Sequence, residues 1–261
     1  MKFINVFLLI IFYMTNISAE IVKEPPELKK IFDKYKFESS ILIYDQNSNS
    51  FIAHNLKRCN EGFIPASTFK IPNTLIALET GVTTTEHIFK WDKKKKPFSL
   101  WEKDMNIQEA FKVSNVPVYQ EIAKNIGLER MKYYTRLLNY GTLQINPKNI
   151  TTFWLEENST ITSFQQIYFL ENLYNLKFPF SKHAMETTKK IMVSEIADNY
   201  VISSKTGTTR GGNAWYVGYV ETKDNVYYFA TNISSKDKNI DLMEVRKEIT
   251  KEALILIGAI K

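Results

Sequence analysis

The stretch Pro65-Ala66-Ser67-Thr68-Phe69-Lys70-Ile71-Pro72-Asn73 sets how the rest of this chain is read. Thr68 to Leu78 has the pattern of a helix that Gly81 stops. Proline is tolerated only close to a helix start, so Pro72 places Ser67 at the N-terminus. Backbone N–H groups there lack intrahelical partners and can stabilise an anion. Ser67 and Lys70, at i and i+3, share one helical face. A desolvated lysine loses its proton readily, so the two can act as nucleophile and base. The spacing alone decides little, because Ser235-Lys236-Asp237-Lys238 repeats it. That second copy lies in a polar, turn-like stretch with nothing to desolvate its lysine.

Two further elements raise the first copy. Ser114-Asn115-Val116 lies in a helical region and can bring a second hydroxyl to a cleft, or Ser114 can be an ordinary helix cap. Lys205-Thr206-Gly207 follows an apolar run and offers a cation, a hydroxyl and a close backbone approach, or it is a plain strand end. Taken singly, each reads better as structure. Taken in order, Ser-x-x-Lys, Ser-x-Val and Lys-Thr-Gly form a set with a mechanism.

Outward from these motifs the chain divides by periodicity. Ser40 to Tyr44 and Phe51 to His54 flank a polar turn and read as a hairpin. Tyr200 to Ser203, Ala214 to Val220 and Val226 to Ala230 read as strands, the last two a hairpin turned at Lys223-Asp224-Asn225. Residues 66–195 are helical in pattern, as are Leu242 to Ile260 and, more weakly, Pro26 to Tyr35. The architecture expected is α+β, an α/β sandwich. An antiparallel sheet from both chain ends is flanked by terminal helices, with a helical lobe of residues 66–195 inserted. The active site then falls in the cleft between sheet and lobe.

Lys2, the apolar run Phe3 to Met14 and the small pair Ser18-Ala19 read as a secretory signal peptide over residues 1–19. Residues 20–261 are then the catalytic domain, without a membrane span. An uncleaved N-terminal anchor is the competing expectation. Of the 261 residues, 44% are hydrophobic, which supports a sizeable core and argues against disorder. The net charge of +6 raises nucleic acid as a partner, but the densest basic run, Lys93-Lys94-Lys95-Lys96, sits in a loop with Pro97 and no RNA-binding motif. A solvated loop is the better reading, and no nucleic acid is expected. Cys59 is the only cysteine, so an intramolecular disulfide is impossible; it reads as a small core hydrophobe. His54, His87 and His183 lack zinc spacing, so no metal is expected, and a Ser-His-Asp triad has few candidates.

The segment Pro65 to Asn73 resembles the signature of the class D β-lactamases, the oxacillinases. Ser114-Asn115-Val116, in place of Ser-Asp-Asn, points to class D over class A. Phe153-Trp154-Leu155, Phe169 to Tyr174 and Ala214 to Gly218 extend the similarity over essentially the whole mature chain. The resemblance implies a β-lactamase/transpeptidase-like fold and a serine acyl-enzyme hydrolase of the periplasm. It would open penicillins and related antibiotics, confer resistance to them, and need no cofactor beyond CO₂ or bicarbonate. It also implies roles. Ser67 attacks the lactam carbonyl, and Lys70, carboxylated on its amine, is the general base. Ser114 passes a proton to the lactam nitrogen. Trp154 bonds the carbamate, while Val116 and Phe69 keep its pocket dry. The backbone N–H groups of Ser67 and Thr208 form the oxyanion hole. Lys205, Thr206, Gly207 and Arg246 bind substrate, with Thr206 and Arg246 on its carboxylate.

One departure stands out: Tyr140-Gly141-Thr142 replaces the family's usual Tyr-Gly-Asn, so no catalytic role is assigned to that turn. Glu171 with Asn175 has the spacing by which class A enzymes hold a water. An amphipathic helix with Phe169, Leu170 and Leu173 inward and Glu171 in solvent is preferred, because Ser-Asp-Asn is absent. The alternatives in function are a β-lactam sensor domain or a penicillin-binding protein that acylates without turnover. The chain is expected to be a monomer or homodimer, and the aromatic strand Val226 to Phe229 is either an interface or core.

Overall fold

The computed structural model describes residues 22–35, 37–237 and 241–261. The expected signal peptide lies outside them. The chain opens with strand β1 (Val22–Lys23) and helix α1 (Pro26–Asp33), whose proline at the first turn needs no hydrogen-bond partner. Strands β2 (Glu38–Asp45) and β3 (Ser50–His54) form the first hairpin, with Asp45 opposite Ser50. A short helix α2 (Leu56–Cys59) leads to a 3₁₀ turn, Ala66–Phe69, that runs into α3 (Lys70–Glu79). The helical insertion continues through α4 (Ile107–Lys112), α5 (Val116–Ile126), α6 (Leu128–Leu138), α7 (Ser163–Tyr174) and α8 (Lys182–Met192). Strands β4 (Val193–Ile196), β5 (Tyr200–Thr208), β6 (Asn213–Thr222) and β7 (Val226–Ser234) follow, and α9 (Leu242–Leu256) closes the fold.

These strands make one sheet, ordered β1-β3-β2-β7-β6-β5-β4. The two ends of the chain therefore meet at the β2–β7 pair, where Ile41 faces Thr231 and Ile43 faces Phe229. All pairs are antiparallel except β1–β3, which is parallel, so the sheet is mixed rather than purely antiparallel. The reason is the connection: α1 carries the chain across and back, and the short β1 can join only the outer edge of β3.

The alternation of side chains decides what covers each face. Ile41, Ile43, Ile202, Val220 and Phe229 point to one side and pack with Leu28 and Phe32 of α1 and Ile249, Ala253 and Leu254 of α9. Leu42, Trp215, Val217, Tyr228 and Ala230 point to the other and join the larger core of the helical insertion. Within that insertion α7 lies directly on β7, β2 and β6. Each fully buried Leu or Ile contributes about 1.5–3 kcal/mol. A one-residue slip of β2 would put both sets on the wrong face. Tyr228 and Phe229 are fully buried in an interior strand, so the segment Val226 to Phe229 is core.

Strand β4 pairs only with the first half of β5, between Val201 and Ser203. The second half, Ser204 to Thr208, keeps β6 on one side and leaves its other edge to the helical insertion. That edge carries Lys205, Thr206 and Gly207.

Candidate active site

The helix that starts the site differs in detail from expectation. It opens as a 3₁₀ turn over Ala66–Phe69, and α-helix begins at Lys70. Ala66 takes a left-handed conformation, φ +49, which costs a residue with a Cβ of the order of 1–3 kcal/mol and persists only where the surroundings hold it. From Pro65 to Lys70, Ser67 alone is not buried. The turn thus presents one hydroxyl to the cleft and buries the side chains around it.

Lys70 sits one helical turn on, 1% exposed, with Nζ 2.8 Å from Ser67 Oγ. Burial holds its amine well below the usual lysine range, and repulsion from Lys205 lowers it further. Nζ lies 5.2 Å from the ring centre of Tyr119 on α5. Tyr119 in turn shares a 2.7 Å hydrogen bond with Thr74 of α3. The floor beside Lys70 is aromatic. Phe69 stacks on Trp154 at 5.6 Å and meets Phe153 and Tyr140 edge-on. Trp154 is fully buried, yet its Nε1 has no hydrogen-bond partner. A buried indole N–H normally finds one.

Ser114 sits in the turn between α4 and α5, left-handed at φ +55. It is not the helix cap: Asn115 is, accepting from Val118 N at 3.1 Å. Asn115 also donates to Met105 Sδ, which pins the turn from behind. Val116 opens α5. Two non-glycine residues in left-handed backbone, Ala66 and Ser114, thus flank or bear the hydroxyls of the site. Strain of this kind is held where the surroundings over-determine the conformation.

The third wall is the free edge of β5. A Cβ built on Gly207 would come 2.9 Å from Pro65 O and 3.2 Å from Ser67 N. Glycine is therefore needed here to let strand and turn approach, which brings the Ser67 N–H next to the Gly207–Thr208 backbone. Lys205, on the same face as Gly207, points into the cleft with Nζ 5.5 Å from the ring centre of Phe111. Burial, then repulsion from Arg246 and Lys247, lowers its amine to about 7. Arg246 of α9 is 5% exposed and pulled down to about 10, chiefly by burial. It donates to Gly207 O at 2.7 Å and to Thr208 Oγ1 at 2.6 Å. Residues 206 and 208 lie on the same strand face, so Arg246, bonded to Thr208, stands on the side of β5 that also carries Thr206. Thr206 Oγ1 lies 3.5 Å from Lys205 Nζ. No carboxylate forms an ion pair with Lys70, Lys205 or Arg246 among the described residues. Lys205 and Arg246, buried and not ion-paired to a carboxylate, make a pocket for an anion.

A cleft of about 720 Å³ opens beside Lys205 and Thr206, walled by α4 and α9. Ser67 and Lys70 do not line it, so they sit next to this cleft rather than inside it.

The other candidates fall away from this place. Glu171 lies on α7 with Phe169, Leu170 and Leu173 buried as expected. It is not simply in solvent: Lys177 and Asn175 bond its carboxylate, and Asn175 leads to Gln46 and Tyr228 on another part of the fold. Lys236, in the second Ser-x-x-Lys copy, is exposed. Cys59 is buried and its thiol is pushed up to about 12 by desolvation. His54 stacks on Phe32 and His87 meets Phe89 edge-on. Lys95 and Lys96 of the basic loop pair with Glu102 and Asp92. Thr142 pairs through its backbone with Thr160, at 2.8 and 2.9 Å, so that turn builds the loop. Among the described residues no helix is long and apolar enough to cross a membrane. Tyr119, Phe111 and Gln166 are site residues that sequence reasoning missed. Each reads as ordinary core of an amphipathic helix, and only its packing brings it here.

A serine hydroxyl open to the cleft beside a buried lysine whose pKa is lowered, facing a strand edge and basic groups, is the arrangement that an acyl-transferring serine enzyme requires. The penicillin-binding protein transpeptidase domain family matches residues 29–254. The chain is 38% identical to Beta-lactamase OXA-5 of Pseudomonas aeruginosa over 99% of this chain and all of that protein. It is 40% identical to Beta-lactamase OXA-48 of Klebsiella pneumoniae over 85% of this chain and 84% of that one. The solved class D β-lactamase of Sebaldella termitidis ATCC 33386 superposes with a TM-score of 0.89 at 37% identity, covering 94% of this chain and all of that one. The chain belongs to the class D β-lactamases, a family of serine hydrolases built on the transpeptidase fold.

Proposed function

We propose that this chain hydrolyses the amide bond of penicillins and related β-lactams through an acyl-enzyme on Ser67, with Lys70 carrying the general base. The observation that supports this most is the 2.8 Å contact between Ser67 Oγ and Lys70 Nζ, whose burial lowers its pKa and favours the neutral amine. An ammonium there could not accept the serine proton; an uncharged amine can, and only an uncharged amine reacts with CO₂. The residues present fit such a carboxyl group: Trp154 Nε1 is buried and unpartnered beside Phe69, and Lys70 lies in an apolar wall. When Lys70 is carboxylated, the group supplies an anionic oxygen base where no histidine stands.

The chain's own residues do the rest. The Ser67 N–H and the Thr208 backbone face the gap where a lactam carbonyl oxygen becomes negative in the transition state. Lys205 and Arg246, without a carboxylate partner, attract the substrate's carboxylate, and the Thr206 and Thr208 hydroxyls stand beside them. Ser114 supplies a hydroxyl for proton return to the lactam nitrogen. Val116 and Phe69 exclude water from the lysine. Residues 1–19 direct export to the periplasm, where these substrates are met.

The test is turnover of a chromogenic cephalosporin, with and without added bicarbonate, and mass spectrometry of the protein after short mixing. Multiple turnovers and a transient adduct on Ser67 are expected. One acylation per molecule with no further turnover would replace the hydrolase by a sensor or penicillin-binding protein. An export test reads the N-terminus of the protein recovered from the periplasm, which should begin at about Glu20.

A further inference from the structure

We propose that Gln166 is a positioning residue for the nucleophile, holding the strained turn before Ser67 through the Thr68 hydroxyl. The proposal rests on the assignment of Ser67 as nucleophile.

Gln166 is fully buried on α7, the helix that lies on the sheet. Its Nε2 donates to Thr68 Oγ1 at 2.9 Å, and its Oε1 accepts from Tyr140 OH at 3.2 Å. Thr68 Oγ1 and Tyr140 OH are 3.0 Å apart, which closes a three-membered buried ring. The proton count leaves little freedom. Thr68 has one hydroxyl hydrogen and gives it to Pro65 O at 2.7 Å. Its oxygen must then accept, and the amide N–H of Gln166 is the donor that fills that role irrespective of how Tyr140 turns. An amide at position 166 donates to Thr68 and accepts from Tyr140 at once, at any pH.

Thr68 matters because of what it touches. Its N–H and its hydroxyl both bond Pro65 O, spanning the left-handed Ala66. Pro65 O, Ser67 N and Thr68 Cγ2 are the three atoms that a Cβ on Gly207 would strike first. These atoms form the surface on which the β5 edge rests, so they set the gap between the Ser67 N–H and the strand. From the sheet side Trp215 Nε1 bonds Ile64 O at 3.0 Å and holds the same loop. Gln166 is the matching hold from the helical side. A buried network with every member satisfied rigidifies the groups it joins, and one that loses its donor leaves a polar atom unpaired.

The experiment compares Gln166→Leu, Gln166→Glu, Thr68→Val and the Gln166→Leu/Thr68→Val double variant with the unaltered full chain. The readouts are single-turnover acylation by a chromogenic cephalosporin, its substrate affinity, and the melting temperature. Gln166→Leu should lower the acylation rate constant by about 10-fold or more with affinity changed far less. Thr68→Val should do the same, and the double variant should be no slower than the worse single one, because both act through one bond. Gln166→Glu keeps the shape, and a protonated carboxyl can still donate, so its rate should recover toward that of the unaltered chain as pH falls, relative to Gln166→Leu. Losses that multiply in the double variant, or an unchanged acylation constant in folded Gln166→Leu, would overturn the proposal. If Gln166→Leu does not fold, the Gln166→Glu pH response and Thr68→Val decide it. Failure of the unaltered chain to acylate at Ser67 would instead remove the nucleophile assignment, and this proposal with it.

Discussion

Replacing Gly207 by alanine tests the close approach of β5 to the Ser67 turn. Gly207 does not occupy the left-handed region, so alanine fits its backbone and a strand accepts it. The cost is steric alone. The new Cβ would meet Pro65 O at 2.9 Å and Ser67 N at 3.2 Å, both backbone atoms that cannot swing aside. Restoring ordinary contact of about 3.4 Å to Pro65 O requires strand and turn to part by about 0.5 Å. The hole between Ser67 N–H and the Thr208 backbone widens by a similar amount, and one donor loses its reach to the oxyanion. Removing such a donor outright costs about 10²–10³ in rate, so a displaced one should cost about 10- to 100-fold in acylation. The assay is single-turnover acylation with active sites titrated, alongside the melting temperature. Stability should change by no more than about 1–3 kcal/mol, the usual range for overpacking. A folded Gly207→Ala protein that acylates within about threefold of the original would refute the reasoning, since the gap would then not be set by this contact.

Further outcomes follow from the same geometry. Lys70→Ala should still bind β-lactam but lose turnover by at least about 10³-fold, read as a stable Ser67 adduct by mass spectrometry; unchanged steady-state turnover would remove Lys70 from its role. Trp154→Phe keeps the ring and removes the N–H, so the bicarbonate concentration for half-maximal activity should rise about 10-fold, the cost of one charge-assisted hydrogen bond. Lys205, lowered to about 7, is a cation below that pH and neutral above it. The value of kcat/KM, which reports the free enzyme, should therefore fall as pH rises through about 7, while kcat holds because a bound carboxylate raises Lys205 again. A flat kcat/KM between about pH 6 and 9 would exclude a binding role for the Lys205 charge.

The site and its frame were legible to different depths. Local pattern carried the strands, because apolar runs such as Ile41-Leu42-Ile43 beside a polar turn need no partner to be seen, while the face that each residue takes showed only in the structure. It also carried the helix start, because Pro72 tolerates few other places. Ser67 and Lys70 were visible as a spacing, and Ser235 with Lys236 shows that the same spacing can mean nothing. What separates them is burial: Lys70 is 1% exposed, whereas Lys236 is exposed. Desolvation is a property of everything packed around an amine, including Tyr119 and Phe69, and spacing does not record it.

The chain's order of residues by itself determined the elements, the segments from both ends that build the sheet, and the motifs that bring a hydroxyl, an amine and an anion-binding cation. It determined them because periodicity, proline placement and turn chemistry act over a few residues. Tertiary structure alone decided the parallel β1–β3 pair, the bond from Arg246 to Thr208, and the orphaned Nε1 of Trp154. It alone put Gln166, 98 residues from Thr68, against the nucleophile's turn. Such contacts depend on strand register and on which helix covers which face, and those are settled only when the whole core packs at once.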